Sequence, residues 1–345
     1  MLSVVYNVIH MVLRKTVLFV VAGLMCLSSF SAVTTEEPTL KNSDTGDYFL
    51  PDYGETLVAA HRAGKGNAPE NTMMAVKNCL QSDERPDIFE MDIQITKDGE
   101  LVLYHSLFVD EKSDAAEHFG RKNTTVFSKT YAQLRELNFG ETFKKDGEYP
   151  YAGLRGDDIP DDLRITKVAD VFDAIETAAP GEFRYIVEIK YPHPWAPEMV
   201  DKLYKILDDR DMRDRVIIGS FWNDVGHYID NHYAGKLMRS ANPFEIVDFY
   251  GCAMRDDDLS KENIKFMSLQ MPYYWDDGLL LVSNLGKTKL IDYAHKYGIS
   301  VQYWTVDKPE DAETLIYNGA DVLMTDHPER IMDIVNAGLP EAEVS

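Results

Sequence analysis

The chain has 345 residues, of which 45% are hydrophobic, and this composition suffices for one large or two medium globular domains. Its 58 acidic and 35 basic side chains give a formal net charge of -23. Binding to a nucleic-acid backbone depends on Lys and Arg that replace counterions, so this charge argues against nucleic acid as a partner. A small anionic substrate could bind only where a cation and local basic groups override the acidic background.

The first 32 residues are typical of an export signal peptide. Arg14 and Lys15 precede an apolar run from Val17 to Leu27, and small residues follow it up to Ala32. We therefore expect cleavage at these small residues, a polar leader over 33–52, and a periplasmic or secreted protein without stable membrane association. An uncleaved membrane anchor is the alternative, but the apolar run is shorter than the roughly 20 residues that a membrane span needs.

From residue 57 onward, short β-rich runs alternate with amphipathic stretches of helical length, which indicates βα units around a parallel sheet. Eight such strands are predicted, at 57–61, 87–93, 184–190, 215–220, 236–240, 264–270, 299–304 and 321–325. Helices are predicted to begin near Glu70, Lys167, Pro197, Asn223, Pro243, Ser283, Pro309 and Pro328. Eight units favour an α/β fold of the (β/α)8 TIM-barrel type over residues 53–340, because an open doubly wound sheet, the alternative, would leave edges exposed.

The simple alternation is interrupted after the second predicted strand. A turn at residues 97–100 leads into a short extra strand from Leu101 to His105, and a long polar stretch follows it. The stretch at about 106–166 is too long for an ordinary connection. We therefore predict a small insertion there, with one helix near Thr130 to Leu137.

Acidic side chains alternate with apolar ones on two of the predicted strands. Glu90 and Asp92 share one face of the second strand, and Glu188 and Lys190 share one face of the third. The opposite faces are apolar and suit outer helices, so the charged faces should point into the barrel, where enzymes of this fold place their sites. A solvent-facing acidic pair is the alternative. Because three converging carboxylates would repel one another, we predict one divalent cation, Ca²⁺ or Mg²⁺, which prefer oxygen ligands.

Two histidines stand at the ends of predicted strands. His61 ends the first strand, and His105 ends the extra strand that follows the acidic pair. A single histidine at such a position is more often a hydrogen-bonded structural residue than a catalyst. Two of them beside a metal site favour catalysis, because an imidazole titrates near neutral pH and can give or take a proton.

An ordered set of motifs over residues 57–337 resembles the glycerophosphodiester phosphodiesterase family. The opening motif, His-Arg-Gly followed by Pro-Glu-Asn-Thr, is matched here with Ala63 in place of the glycine. A second departure is Ser106, which replaces the Asp that usually follows the second histidine. In chain order, the matching motifs are His61-Arg62-Ala63, Pro69-Glu70-Asn71-Thr72, Glu90-Met91-Asp92, Thr96-Lys97-Asp98-Gly99, His105, Glu188-Ile189-Lys190, Ser220-Phe221, Trp304-Thr305-Val306 and Thr325-Asp326-His327-Pro328.

The resemblance implies metal-dependent hydrolysis of a small glycerophosphodiester to glycerol 3-phosphate and an alcohol. It also implies the roles of the candidate site residues: Glu90, Asp92 and Glu188 as metal ligands, His61 and His105 as acid and base, and Arg62, Lys190 and Trp304 as substrate-binding residues. Two alternatives stay open at this point. One is a phospholipase D-type hydrolase of lysophospholipid or sphingolipid, and the other is a non-catalytic phosphodiester-binding barrel.

Overall fold

A computed structural model describes residues 49, 55–273 and 286–338. The predicted signal peptide, the polar leader apart from Phe49, and the predicted helix start at Ser283 lie outside these described residues. Within them, no helix combines the length and the apolar character that crossing a membrane requires.

The described residues contain nine β-strands and ten α-helices. The strands are β1 Leu57–Ala60, β2 Ile88–Ile95, β3 Leu101–Leu103, β4 Arg184–Ile189, β5 Val216–Gly219, β6 Met238–Arg239, β7 Ser268–Pro272, β8 Ser300–Trp304 and β9 Val322–Thr325. The helices are α1 Met73–Gln81, α2 Ala115–His118, α3 Tyr131–Leu134, α4 Val168–Ala178, α5 Trp195–Asp208, α6 Asn223–His232, α7 Pro243–Arg255, α8 Thr288–His295, α9 Pro309–Tyr317 and α10 Pro328–Ala337.

Eight of the strands form a nearly closed parallel barrel. They follow the order β6-β5-β4-β2-β1-β9-β8-β7, and a parallel bridge between Ser240 and Ser268 joins the two ends of this series. β3 lies off this path and pairs antiparallel with β2. The predicted TIM barrel and the extra strand after the second barrel strand are therefore confirmed.

Most predicted helix starts agree with the structure, and two boundaries need correction. α1 begins at Met73 rather than near Glu70, because Asn71 has a left-handed φ of 55° and the Thr72 side chain caps the helix by accepting the amide of Ala75. β7 lies at 268–272 rather than 264–270, where its residues pair in register with β8.

The outward faces of β2 and β4 are packed under the surrounding helices. Phe89, Met91, Val187 and Ile189 are fully buried in one apolar cluster that includes side chains of α1, α4 and α5. The intervening residues of these strands consequently point into the barrel, as the alternating sequence pattern predicts.

Residues 106–166 form an excursion that leaves the barrel after β3 and returns before α4. Its apolar side chains pack with those of β3 and Tyr104 in a separate buried cluster, comprising Val102, Tyr104, Val109, Ala115, Val126, Leu134, Leu137, Phe139 and Ile165. The two ends of the excursion meet where Leu103 N donates to Thr166 O at 3.0 Å. Its helix α3 is shorter than the predicted 130–137.

Candidate active site

Three carboxylates from two neighbouring strands converge in the barrel interior. The parallel register of β2 and β4 pairs Asp92 with Glu188, and Glu90 lies two residues before Asp92 on the same face. One ligand oxygen from each carboxylate lies within 4.8 Å of the others. Glu90 and Asp92 are only 3% and 1% exposed, so water solvates this charge poorly.

The pKa values of all three carboxylates differ from their ordinary values, because the groups are buried close to one another and to cationic side chains. Burial raises the pKa of Glu90 well above its ordinary value, and neighbouring Asp92 adds to the increase. Burial also raises the pKa of Glu188. For Asp92, burial acts in the same direction but is outweighed by Lys190, His105 and Arg62, which bring its pKa below the ordinary range. This all-oxygen donor set fits one hard divalent cation, whose charge would let all three groups ionise.

Lys190 is the cation nearest to two of these carboxylates. Its Nζ donates to Glu188 Oε1 at 2.8 Å and lies 3.4 Å from Asp92 Oδ1. The Lys190 side chain is 14% exposed, and its carbonyl accepts a hydrogen bond from Trp222 Nε1 at 3.1 Å. Lys190 is thus fixed at both ends beside the carboxylates, where an anionic phosphoryl group could replace one of its partners.

Arg62 approaches the carboxylates from the β1 side. Its backbone N–H donates to Glu90 Oε2 at 2.7 Å, and its Nη1 donates to Glu70 Oε1 at 3.1 Å. The buried Nε lies 3.7 Å from Asp92 Oδ2 and has no hydrogen-bond partner among the described residues. This N–H is therefore a donor that a substrate oxygen could satisfy.

The turn that carries Arg62 has an unusual backbone conformation. Arg62, Ala63 and Gly64 have φ angles of 50°, 61° and 87°, so three consecutive residues are in the left-handed region. Ala63, which stands where the family has glycine, adopts this conformation while fully buried. An alanine in the left-handed region costs about 1–2 kcal/mol. The substitution therefore leaves the turn, and the direction of the Arg62 N–H, in place at an energetic cost.

His61 follows β1 at the same rim of the barrel. Its Nδ1 lies 2.7 Å from Asp326 Oδ1. Burial lowers the pKa of His61, and the charges of Lys65 and Arg62 lower it further, while the hydrogen bond with Asp326 opposes the change. The lowered pKa favours the neutral ring, which can accept a proton.

His105 follows shortly after β3, the strand that pairs antiparallel with β2. Tyr104 N donates to Asp92 O at 2.9 Å, which holds the following histidine close to that carboxylate. Burial lowers the pKa of His105 to about 3, against the opposing effect of Asp92. Its Nδ1 is buried and has no hydrogen-bond partner among the described residues. The ring thus has a polar atom that the described residues leave without a hydrogen bond.

Trp304 stands apart from the charged residues and is connected to them through Phe221. The two rings are perpendicular with centroids 5.9 Å apart, and Lys190 Nζ lies 5.9 Å from the Phe221 ring centroid. Phe221 is 52% exposed. All eight candidate site residues therefore occupy one rim of the barrel, with the aromatic pair at its edge.

Several partners of these residues received no role from the sequence. Asn71 Nδ2 donates to Asp92 Oδ2 at 2.8 Å, and Glu70 holds Arg62 as described above. Lys112 of the insertion lies with its Nζ 3.3 Å from Glu70 Oε2. Glu70, Asn71 and Asp326 lie within motifs that the sequence singles out, whereas Lys112 carried no signal. Ser106, the second departure from the family pattern, accepts a hydrogen bond from Gln94 Nε2 at its backbone carbonyl.

One known protein family matches most of the chain. Residues 61–330 match the model of the glycerophosphoryl diester phosphodiesterase family. A glycerophosphodiester phosphodiesterase from Caldanaerobacter subterraneus subsp. tengcongensis is 29% identical over 285 residues, covering 82% of this chain and 99% of the relative. A lysophospholipase D from Mus musculus is 24% identical over 294 residues, covering 79% of each chain.

Solved structures agree with the fold. The glycerophosphoryl diester phosphodiesterase domain of a Mycobacterium tuberculosis protein superimposes with a TM-score of 0.64 at 19% identity, covering 81% of this chain and 98% of the domain. An Oleispira antarctica phosphodiesterase, solved with the product sn-glycerol-3-phosphate, gives a TM-score of 0.59 at 17% identity and covers 84% and 99%.

Proposed function

The chain belongs to the glycerophosphoryl diester phosphodiesterase family, and on that premise we propose that it hydrolyses glycerophosphodiesters to glycerol 3-phosphate and an alcohol, with one divalent cation. The observation that carries this proposal is the convergence of Glu90, Asp92 and Glu188 within 4.8 Å. Such a buried acidic group gains stability from a cation and sits at the rim where barrel enzymes bind substrate.

Glu90, Asp92 and Glu188 would hold the cation, and Ca²⁺ and Mg²⁺ both suit their oxygens. When bound, the cation supplies positive charge that stabilises a negatively charged phosphoryl oxygen. Arg62 and Lys190 bind and orient the phosphoryl group from opposite sides, the former through its Nε, to which the described part of the chain gives no hydrogen-bond partner. This places charge-assisted donors where negative charge increases during the reaction.

The two histidines supply proton transfer. One removes a proton from the nucleophile as its oxygen forms a bond to phosphorus, and the other donates a proton to the alcohol oxygen as the phosphorus–oxygen bond breaks. Water and a glycerol hydroxyl are both suitable nucleophiles, the latter by way of a cyclic phosphate that water then opens. Trp304 and Phe221 cover the edge of the site and contact the carbon skeleton of the substrate.

The test is turnover of a panel of diesters with and without metal. Glycerophosphocholine, glycerophosphoethanolamine and glycerophosphoglycerol are incubated with the protein in chelator, and then with Ca²⁺ or Mg²⁺, while ³¹P NMR follows the products. We expect glycerol 3-phosphate with restored metal and catalytic efficiencies within about 10–100-fold across the alcohols, since lost contacts are worth about 1–3 kcal/mol. Full turnover in chelator contradicts the metal dependence, and metal binding without hydrolysis supports a binding barrel instead.

A phospholipase D-type activity on lysophospholipid is the second candidate. It is favoured by the name of the Mus musculus relative and by an aromatic cluster between insertion and barrel, where Phe127 stacks on Trp195 at 4.5 Å and Tyr191 lies 5.4 Å from Phe127. The polar Lys112 to Glu70 contact at the rim favours the soluble substrates. Glycerophosphocholine should therefore be hydrolysed with higher kcat/KM than lysophosphatidylcholine, and the reverse order supports the lipid substrate.

Export of the protein is also part of the proposal. The basic pair, apolar run and small residues at positions 14–32 support it. Fractionation of cells that express the full chain should find it in the periplasm or medium, with a mature N-terminus near residue 33. An intact N-terminus in the membrane fraction favours the anchored alternative.

A further inference from the structure

Asp326 and His61 are neighbours because of the register between the first and last strands of the barrel. β1 and β9 pair Ala60 with Thr325, and the two residues of interest follow immediately on each strand. Their side chains meet with His61 Nδ1 2.7 Å from Asp326 Oδ1, although 265 positions separate them in sequence.

The backbone of Asp326 is held on both sides. Its N–H donates to Asp307 Oδ1 at 2.8 Å, and its carbonyl accepts the amide of Gly66 at 2.9 Å. A side chain at Gly66 would place Cβ 2.3 Å from the ring of His327, so this approach depends on glycine. These two backbone hydrogen bonds therefore fix the position from which the Asp326 carboxylate contacts His61.

Lys65 contacts the second oxygen of the Asp326 carboxylate. Its Nζ lies 3.1 Å from Asp326 Oδ2, and the two side chains are 25% and 17% exposed. Each oxygen thus has a separate partner, an ammonium group on one side and an imidazole on the other. Because an ammonium group can only donate, it requires an oxygen at this place.

We propose that Asp326 is a positioning residue that keeps the proton of neutral His61 on Nδ1. Lys65, which contacts the other carboxylate oxygen, fixes the orientation of the side chain at position 326 relative to the imidazole. This inference rests on the proposed function, in which His61 transfers a proton. A proton held on Nδ1 leaves Nε2 as the ring nitrogen that accepts and returns protons at the substrate. Asp326 acts through His61 and makes no contact with the three carboxylates in the described hydrogen bonds and ion pairs.

The arrangement has a consequence for Asp326→Asn. The amide of asparagine has one oxygen and one NH₂ group, and Lys65 requires the oxygen. The NH₂ group must then face His61 Nδ1, which becomes a hydrogen-bond acceptor, so the ring proton moves to Nε2. Removing Lys65 as well frees the amide to turn its oxygen toward His61 and restore the original tautomer.

The experiment compares Asp326→Asn, Lys65→Met and the double variant. We expect Asp326→Asn to lower kcat by about 100-fold or more with KM changed less than about threefold, because it sets the wrong tautomer. The double variant should recover about tenfold in kcat over Asp326→Asn. Lys77→Met is the matched control, since Lys77 forms a comparable pair with Asp162, 2.8 Å apart, on the protein surface.

Histidine ¹⁵N NMR provides a readout that does not depend on activity. His61, assigned by comparison with His61→Gln, should carry its proton on Nδ1 in the wild type and on Nε2 in Asp326→Asn. A merely structural role would lower the melting temperature without changing the tautomer, so melting curves and Ca²⁺ titrations accompany each variant.

An Nε2 proton in the wild type overturns the role of Asp326, as does a kcat unchanged in Asp326→Asn. A double variant no more active than Asp326→Asn overturns the role of Lys65. If the wild type hydrolyses no diester, the proposed function fails, while the NMR result still decides the tautomer.

Discussion

Two groups of three carboxylates in this protein have opposite surroundings. In the insertion, Arg155 lies 2.6 Å from Glu117, 2.9 Å from Glu141 and 3.4 Å from Asp114. In the barrel, Glu90, Asp92 and Glu188 converge in the interior, where Glu90 accepts the backbone N–H of Arg62. The first group surrounds one guanidinium with two solvent-accessible carboxylates, Glu117 and Glu141, and buried Asp114, whereas in the second group Glu90 and Asp92 are almost inaccessible to solvent.

The comparison separates a structural acidic cluster from a candidate metal site. Arg155 lowers the pKa of Glu141, against the effect of burial, so the ionised form of this carboxylate is favoured. Burial raises the pKa of Glu90, so the ionised form of this carboxylate is disfavoured. Burial raises the pKa of both Glu90 and Glu188 in the barrel, whereas in the insertion it raises that of Asp114 while Arg155 lowers that of Glu141, so the barrel group is the stronger candidate for a cation site.

The largest difference between the two clusters should be in activity. Asp92→Asn or Glu188→Gln should lower turnover by more than about 100-fold, because even residues that merely support metal ligands are worth about 10–100-fold. Glu141→Gln, the matched change in the insertion, should leave turnover within about twofold. The measurements are kcat/KM and calorimetric titration with Ca²⁺ or Mg²⁺. Equal losses in both clusters would remove the distinction.

A smaller effect, of opposite sign in the two clusters, is expected for stability without metal. The folded-state pKa of Glu90 is raised, so its ionisation destabilises the fold, and this penalty grows as pH rises above the ordinary value of 4.5. Glu90→Gln should therefore stabilise the chelated protein at pH 8 by about 1–3 kcal/mol, with little effect at pH 4.5.

Glu141→Gln is the control for this change of sign. The pKa of Glu141 is lowered on folding, so its contribution is present above the ordinary value of 4.5 and is lost as pH falls. The variant should be destabilised at pH 8 by less than about 1 kcal/mol, because both side chains of the pair are partly exposed to solvent. Denaturant unfolding in chelator measures both variants. Destabilisation of Glu90→Gln would show that its charge is already compensated by the protein.

The smallest effect is expected at the guanidinium of the insertion. Arg155→Met should lower the free energy of unfolding by at most about 1 kcal/mol, since the Arg155 side chain is 36% exposed. Turnover should remain within about threefold, because the variant leaves the barrel residues untouched. Unfolding curves and kcat/KM test this, and a loss comparable to that of Asp92→Asn would make the insertion part of the site.

The parts of this fold that sequence predicts are those with a local cause. Proline fixes φ in a first helical turn, and α7, α9 and α10 begin at Pro243, Pro309 and Pro328 as predicted. Strand alternation places Glu90 and Asp92 on the inward face, and the parallel register then adds Glu188. The shifted boundary of β7 depends on strand pairing, which single-strand patterns do not contain. The start of α1 has a local cause, the Thr72 cap, which the prediction did not use.

The side-chain partners of the site depend instead on tertiary structure. Asp326 meets His61 through the closure of the barrel, and Lys112 reaches Glu70 from the insertion. Phe221 contacts Trp304 from a different strand end. No spacing along the chain encodes such pairs, because each depends on where separate elements end in space. The resemblance to a family identified Asp326 as part of a motif but gave no physical reason for it.

Because the two ends of the insertion lie next to each other, the number of residues between them has little effect on the barrel. Because Leu103 N bonds to Thr166 O, residues 106–166 leave and rejoin the barrel at one point. The entropy of closing such a loop grows only logarithmically, by about 0.6 kcal/mol for each doubling of its length. Segments of very different size could therefore connect β3 and α4 while Asp92 and Glu188 keep their spacing.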